Sequence, residues 1–205
     1  MEVSVPGRTA TGVAKGELRR TAIVESATHL FAEKGIQATT LTEIAQLAGM
    51  KRPALLHHFE SKEAVVHAVL DGHERLFAPV QYSIARHRGL DAITHLIEIA
   101  EFDFNHRARV ALWNQLLAEA SSIDSSLRER IMAHYMLFRA SVRVILEHAE
   151  QDGELKSGID RHMVANTVIA FFNGIETSWL LDPEVPMVET TRKFLDDTVK
   201  SLRKE

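Results

Sequence analysis

Basic and imidazole side chains are concentrated between residues 51 and 62 of this 205-residue chain. Arg52 can donate two hydrogen bonds to a guanine edge, and His57 can reach a base edge or a phosphate. Lys51, His58 and Lys62 are candidates for hydrogen bonds to phosphate oxygens. This stretch is therefore a candidate surface for binding double-stranded DNA.

Two short helices must position these side chains, and we predict them at residues 41–48 and 52–59. A helix-turn-helix needs a small residue where the helices cross, a residue that tolerates positive φ in the turn, and an apolar residue that closes the angle. Ala45, Gly49 and Leu55 occupy these three places. Helix pairs joined at a glycine also occur in proteins that do not bind DNA, so the spacing alone leaves simple packing as an alternative.

The start of the first short helix and the faces of the second follow from side-chain chemistry. Thr40 is a predicted N-cap, and Glu43 completes a capping box with it. On the second helix, successive residues turn by about 100°, so Leu55 and Phe59 point inward while His57 lies on the opposite face. We expect that opposite face to be able to enter a major groove.

Pro53 falls in the first turn of the second short helix, where its missing N–H would have had no intrahelical partner. It lies on the outward face with His57, and Ala54 lies at the side. The apolar surfaces of Pro53 and Ala54 can pack against a thymine methyl group. Both residues are therefore included among the candidate DNA contacts.

Composition narrows the classes of protein that this chain can be. It contains no cysteine, which excludes disulfides, thiolate metal sites and cysteine nucleophiles. No stretch of about 18 uncharged apolar residues appears, and no apolar run follows a basic start, so we expect a cytoplasmic protein without a membrane segment. The net charge of −4 divides unevenly: residues 1–62 carry eight Lys and Arg against six Asp and Glu, and residues 63–205 carry sixteen against twenty-two. A small basic module joined to a larger acidic one fits this division.

The pattern predicts an all-α protein, because helical spacing of apolar residues runs through most of the chain and no strict alternation indicates a strand. We divide the chain into a flexible arm at 1–14, a three-helix domain with the helix-turn-helix at 15–62, and a larger helical domain at 63–205. The other predicted helices are 15–34, one from 61 past 76 that is interrupted or ends near Pro79, 91–104, 107–121, 124–151, 160–181 and 188–203.

A wider pattern extends around the candidate DNA-binding surface. It consists of Arg20, Ile23, Ala27, Phe31, Gly35, Ala38, Thr39, Thr40, Ile44, Ala45, Ala48, Gly49, Leu55, His57, His58, Phe59, Ser61, Lys62 and Glu63. With this set, residues 19–63 resemble the N-terminal domain of the TetR family of bacterial transcriptional regulators. The resemblance implies a homodimer that binds a palindromic operator and responds to a small-molecule effector held in a C-terminal ligand-binding and dimerisation domain. It also implies DNA contacts at Thr40, Lys51, Arg52, Ala54, His57, His58 and Lys62.

Two positions depart from the family, which usually has a small residue where this chain has Pro53 and an aromatic residue where it has Leu56. Leu56 lacks the hydroxyl that commonly reaches a phosphate, so either it packs or the lost contact is made elsewhere. Arg8 and Lys15 in the arm could supply that contact. A tail without any DNA role is the alternative.

Residues 174–176 and 179–183 resemble the ligand domains of the subgroup that includes choline-responsive repressors, which does not identify choline as the effector. The candidates for an apolar effector pocket are Phe102, Trp113, Leu116, Leu117, Met132, Tyr135, Met136 and Phe172. Plain core packing is the alternative for each of these side chains. Apolar stripes on the last two helices could form half of an intersubunit four-helix bundle, or could pack within one subunit. The candidates for this dimer interface are Phe171, Ile175, Trp179, Phe194, Leu195, Thr198 and Leu202.

Signatures of catalysis are weak in this sequence. His95, Glu98 and Glu101 superficially resemble part of a carboxylate-bridged metal site, but such a site needs a matching set from other helices. We find no HExxH pair, no glycine-rich phosphate loop after a strand and no G-x-S-x-G turn. We therefore expect no catalytic, cofactor or metal site. The rival to a DNA-binding regulator is a helical small-molecule-binding or scaffold protein that does not bind DNA.

Overall fold

The computed structural model describes residues 10–120 and 127–204, and these residues form ten α-helices. The helices are α1 (Ala10–Lys34), α2 (Leu41–Leu47), α3 (Arg52–Leu56), α4 (Lys62–Ile84), α5 (Asp91–Thr94), α6 (Ile97–Phe104), α7 (Arg107–Ala120), α8 (Arg128–Gln151), α9 (Arg161–Leu181) and α10 (Met187–Leu202). Within the described ranges, one isolated antiparallel β-bridge joins Leu155 and Arg203. The predicted all-α class is confirmed.

The largest difference at a helix end concerns α1, which begins at Ala10 and not at residue 15. The segment 10–14, predicted as part of the arm, is therefore helical. The rest of the predicted arm, including Arg8, lies outside the described residues. At its other end α1 stops at Lys34, and Gly35 follows with a φ of 83°, as expected for a C-cap glycine.

Two other predicted helices differ from the observed ones for local reasons. α3 ends at Leu56 because the amides of His58 and Phe59 both donate to the carbonyl of Leu55, at 2.8 and 3.0 Å, which tightens the turn. The predicted helix 91–104 is divided into α5 and α6, since i to i−3 hydrogen bonds replace the regular pattern around residues 95–99.

Pro79 lies inside α4 and does not end it. A proline removes one hydrogen bond and crowds the preceding turn of a helix. Phe77 and Ile84 lie on either side of it in α4, and both are buried in the core. Tertiary packing of this helix face stabilises the continuation past Pro79.

The chain divides into two compact units, residues 1–74 and 75–205. The division falls inside α4, whereas the sequence predicted it at the start of that helix. Each unit has its own core, as a compact domain requires. No helix in the described residues is long and apolar enough to cross a membrane.

The core of the first unit includes Leu55 and Phe59, the residues that helical periodicity assigned to the inward face of α3. Leu55 and Ile44 are fully buried, and Phe59 is nearly so. Burial of a leucine side chain of this kind contributes about 1.5–3 kcal/mol. The inward set of this unit is Ile23, Ala27, Phe31, Ile36, Ile44, Ala45, Leu55, Phe59, Val65, Val66, Ala68, Val69 and Leu70.

The core of the second unit is formed mainly by α4, α5, α6, α8, α9 and α10. On α8, Val142, Ile145 and Ala149 follow one another at helical spacing and are all buried. α10 turns Leu195 and Leu202 toward α5 and α6 in the same chain. Of these helices, α4, α6 and α8 line the apolar cavity of about 470 Å³ described below.

Candidate nucleic-acid interface and ligand cavity

The turn between α2 and α3 has the backbone geometry that a helix-turn-helix needs. Gly49 has a φ of 68°, a left-handed conformation that side chains with a Cβ rarely adopt. The amide of Met50 donates to the carbonyl of Ala45 at 2.9 Å, which folds the chain back after α2. Leu55 then closes the angle from α3 and is fully buried. The three places predicted from spacing are therefore filled as expected.

Thr40 forms the predicted capping box at the start of α2. Its backbone N–H and its hydroxyl donate to the Glu43 carboxylate at 2.8 and 2.7 Å, and its hydroxyl oxygen accepts from the Glu43 amide at 3.3 Å. Lys34 also pairs with this carboxylate. The bond from Lys34 and those from Thr40 lower the pKa of Glu43 to about 2. Thr40 is exposed, but its hydroxyl is already hydrogen-bonded to Glu43 at the start of α2.

Lys62 has an intramolecular role that sequence reasoning missed. Its ammonium group donates to the carbonyl oxygens of Ile36, Gln37 and Thr39 at 3.0, 3.3 and 3.2 Å. These carbonyls belong to the loop between α1 and α2. Lys62 therefore holds that loop, and its predicted contact with a phosphate stays a prediction.

The outward face of α3 presents polar and basic groups together. Arg52, Pro53 and His57 are exposed, and so is Lys51 directly before the helix. Ala54 is half-buried at the side of the helix, as predicted from the rotation of about 100° per residue. A short helix with an exposed arginine at its start and an exposed histidine directly after its last residue can place both at base edges in a major groove.

The end of α3 is fixed by a contact from α1. Arg20 donates to the carbonyl oxygen of His58 at 3.1 Å, and its guanidinium lies 4.1 Å from the centre of the Phe59 ring. Phe59 is buried, whereas the His58 side chain is half-buried and Leu56 is 38% exposed. Leu56 thus lies partly at the surface, and His58 keeps a smaller accessible area than His57.

A basic groove runs beside α3 in the first unit, with a volume of about 810 Å³. Lys15 and Arg19 line it from α1, and Lys51 lines it from the turn before α3. Arg19 was not among the residues predicted from the sequence to contact DNA. Its spacing of four residues from Lys15 was the available signal, since residues at i and i+4 share one face of a helix.

The second unit contains an apolar cavity of about 470 Å³ between α4, α6 and α8 and the loops next to them. Its lining is Phe77, Gln81, Ile84, Ala85, His87, Leu96, Ile99, His134, Leu137, Phe138, Ala140, Ser141, Val144, Ile145 and His148. No carboxylate is among these described residues. An enclosure that is mostly apolar with a few imidazole, hydroxyl and amide groups is typical of a small-molecule site.

Three of the predicted pocket residues line a different cavity. Leu117, Met132 and Tyr135 share a space of about 460 Å³ with Arg128 and Arg139. Burial raises the pKa of Tyr135, although a hydrogen bond partly opposes this effect, because Asn173 donates to its hydroxyl oxygen at 2.7 Å. The Tyr135 hydroxyl is thus already hydrogen-bonded to a side chain of α9.

The other five predicted pocket residues line neither cavity, and the structure gives each a packing role or leaves it at the surface. Leu116 and Phe172 are buried. Trp113 packs its ring 4.5 Å from that of His134, and Phe102 packs against Phe77 at 5.7 Å. Met136 is 63% exposed. Their place in an effector pocket stays a prediction, because apolar periodicity marks burial without distinguishing a cavity wall from a filled core.

A buried charged cluster lies next to Phe102. Arg109 pairs with Asp103, and its guanidinium lies 4.8 Å from the Phe102 ring centre and 5.0 Å from that of Phe77. Burial raises the pKa of Glu176 to about 7, against the opposing charge of Arg109. Burial also lowers the pKa of Arg109 to about 10. The sequence did not predict this cluster.

The predicted dimer residues pack largely within their own chain. Trp179, Leu195 and Leu202 are buried within the single chain, and their place in a dimer interface stays a prediction. Phe171 and Phe194 are half-buried and stack on each other with ring centres 3.8 Å apart.

The two remaining candidates for the interface are also half-buried. The Thr198 hydroxyl donates to the carbonyl of Phe194 at 2.7 Å, and Ile175 packs beside Trp179 and Met187. The apolar stripe on α10 therefore has buried and half-buried members, and contact of the half-buried ones with a partner subunit stays a prediction.

The two units match two known protein families. Residues 23–69 match the family of bacterial regulatory proteins called the tetR family, and residues 90–204 match the C-terminal domain of BetI-type transcriptional repressors. Both matches agree with the resemblance found in the sequence.

Similar proteins extend over most of the chain. The transcriptional repressor KstR2 of Rhodococcus jostii is 32% identical over 157 residues, which cover 69% of this chain and 70% of that protein. The transcriptional regulator TtgR of Pseudomonas putida is 26% identical over 191 residues, with 90% and 91% covered. The crystal structure of a TetR transcriptional regulator from Chloroflexus aurantiacus has the same fold, with a TM-score of 0.79, 21% identity, and 94% and 100% covered. Together with the helix-turn-helix geometry, these matches show that the chain belongs to the TetR family of DNA-binding transcriptional regulators, which are not enzymes.

Proposed function

We propose that this chain is a ligand-responsive repressor that binds a palindromic operator as a homodimer through the outward face of α3. The observation that carries the proposal is the shared exposure of Arg52 and His57 on a helix whose opposite side is buried. Arg52 donates to a guanine edge, and His57 contacts a base or phosphate. Two such helices in a dimer read half-sites about 34–36 Å apart.

The phosphate contacts come from the groove beside α3. Lys15, Arg19 and Lys51 line this groove, and all three are exposed. Cations at the edge of a reading helix fix its register on the duplex without reading the sequence. They also take over the role of the hydroxyl that Leu56 lacks.

The effector is an uncharged or weakly anionic apolar molecule bound in the cavity between α4, α6 and α8. The walls offer Phe77 and Phe138 as aromatic surfaces, with His134 and His148 as polar groups. No carboxylate is among the described lining residues, so the walls themselves offer no anionic partner for a quaternary ammonium. An effector of this kind changes DNA affinity only to the extent that it binds one conformation better than the other.

Fluorescence anisotropy with the DNA upstream of the chain's own gene tests the proposal. We expect a protein-dependent rise for that DNA, a much weaker one for random DNA, and a steep decline of affinity with salt. Arg19→Ala should weaken binding to both DNAs and reduce the salt slope by about one. Absence of a specific complex at low salt would instead support the scaffold hypothesis.

A further inference from the structure

Two imidazole rings and a carboxylate converge at the edge of the effector cavity. His87 lies in the loop after α4, His95 lies between α5 and α6, and Glu98 lies in the first turn of α6. Each offers one ligand atom, and the three atoms lie within 4.8 Å of one another. His87 also lines the cavity. The sequence did not predict that these three residues meet, because only His95 and Glu98 share helical spacing.

We propose that His87, His95 and Glu98 bind a divalent transition-metal ion of the zinc class. Imidazole nitrogen and carboxylate oxygen are the ligands that Zn²⁺ takes in proteins, whereas Mg²⁺ and Ca²⁺ prefer oxygen alone. In a tetrahedral zinc site, ligand atoms about 2.0–2.1 Å from the metal are separated by roughly 3.4 Å. Because a metal lies in the plane of each imidazole that binds it, the His87 and His95 rings must turn out of their parallel stack when both bind one ion. Three protein ligands leave the fourth position to water or to an effector atom.

The backbone holds His95 and Glu98 in a fixed relation. Leu96, between them, is almost completely buried, and the amide of Glu98 donates to the carbonyl of His95 at 3.1 Å. The Nδ1 atom of His95 lies 3.3 Å from a Glu98 carboxylate oxygen. The pair therefore presents its imidazole and carboxylate on one side of the α5–α6 junction.

Three contacts hold the loop that carries His87. Arg88 donates two hydrogen bonds to Asp152, at 2.9 and 3.1 Å, and the amide of Leu90 donates to Glu154 at 2.9 Å. Gly89 has a φ of 73°, and a Cβ there would lie 2.6 Å from a Glu154 carboxylate oxygen. The left-handed backbone at this turn of the loop therefore favours glycine.

The held loop places the two imidazoles face to face. The rings of His87 and His95 are nearly parallel, with centres 3.3 Å apart. Glu101, which the sequence grouped with His95 and Glu98, is not part of this set, because its carboxylate accepts a hydrogen bond from Arg192 at 2.8 Å. His87, and not Glu101, is therefore the third ligand of the proposed site.

The test is metal binding by the full-length chain without a histidine tag, after treatment with a chelator. Zn²⁺ is titrated in competition with a chromophoric chelator, and Co²⁺ is titrated for its absorption spectrum. We expect one tight site per chain, and a loss of at least about tenfold in Zn²⁺ affinity for His87→Ala, His95→Ala and Glu98→Gln. The matched control is His29→Ala, because His29 and Glu33 form a two-ligand pair at 3.6 Å in the first unit. This control should bind Zn²⁺ as the unmodified chain does.

A second readout separates metal binding from folding. Without metal, each variant is compared with the unmodified chain by circular dichroism and thermal midpoint. Excess Zn²⁺ should raise the midpoint of the unmodified chain and of His29→Ala, since a ligand that binds only the folded state stabilises it. It should not raise that of His87→Ala. Equal Zn²⁺ affinity in His87→Ala and the unmodified chain would overturn the proposal, as would an equal loss in His29→Ala.

The metal site stands apart from the proposed operator binding. Zn²⁺ affinity is measured on the free protein, and operator affinity is measured in the presence of chelator. A failure of the first overturns the metal site alone, and a failure of the second overturns the DNA-binding proposal alone.

Discussion

The ammonium nitrogen of Lys62 lies 3.2 Å from the carbonyl oxygen of Thr39, the residue before the N-cap of α2. Two further carbonyls of the same loop accept from this ammonium. A lysine at the start of α4 thereby holds the loop that leads into the helix-turn-helix. Its effect on DNA binding operates through the position of α2, in addition to any direct contact with a phosphate.

Replacement of Lys62 by methionine retains most of the apolar stem and removes the ammonium. We expect the free energy of unfolding to fall by about 1–3 kcal/mol, because three carbonyl oxygens lose a charged donor. Urea denaturation measures this change. The matched variant Lys51→Met, at an exposed position, should weaken DNA binding without a comparable loss of stability. Unchanged stability in Lys62→Met together with weakened DNA binding would show a phosphate contact instead.

Replacement of Arg52 by alanine should cost about 1–3 kcal/mol in operator binding and relax the preference at one base pair in each half-site. The physical reason is the loss of two parallel hydrogen bonds to a guanine edge. Anisotropy titrations with operators changed one base pair at a time measure both effects. Arg75→Ala, an exposed arginine outside the first unit, serves as the control. Equal losses on operator and random DNA would contradict a base-reading role for Arg52.

The buried carboxyl of Glu176 makes stability depend on pH. Its pKa in the folded chain is about 7, above the ordinary 4.5, chiefly because of burial. Between these values the folded state binds more protons than the unfolded state, so this group makes the free energy of unfolding fall as pH rises. Below about 4.5 and above about 7 its contribution is constant. Urea denaturation from pH 5 to pH 8 should therefore show a shallower decline for Glu176→Gln, and parallel curves would contradict the assignment.

Much of the helix-turn-helix could be predicted because its rules are local. Capping at Thr40, positive φ at Gly49 and burial of Leu55 each depend on a few neighbouring residues. Arg20 over Phe59 and Lys62 on the α1–α2 loop could not, because these contacts join residues 39 and 23 or more positions apart.

In the second unit, too, sequence patterns could not predict how helices that are distant in sequence pack together. The stripe on α10 showed that Leu195 and Leu202 are covered, but periodicity cannot tell whether the cover comes from the same chain or a partner. Likewise, apolar spacing placed Leu116 and Phe172 in the interior without showing where the interior is hollow. Cavities depend on the fit between helices distant in sequence, which one helix's pattern does not contain.

Filling the cavity between α4, α6 and α8 tests its role as the effector site. Ser141 lines this cavity from α8, and its side chain is exposed, so Ser141→Trp can place an indole in the space without breaking the core. We expect affinity for the uncharged apolar dye N-phenylnaphthylamine, followed by its fluorescence, to fall by about tenfold or more, or about 1.4 kcal/mol. Operator affinity without any ligand should stay unchanged. Thr167→Trp, at an exposed position on α9 outside the lining, is the control. Equal dye binding by the two tryptophan variants would show that the dye occupies another surface, because only one of them fills this cavity.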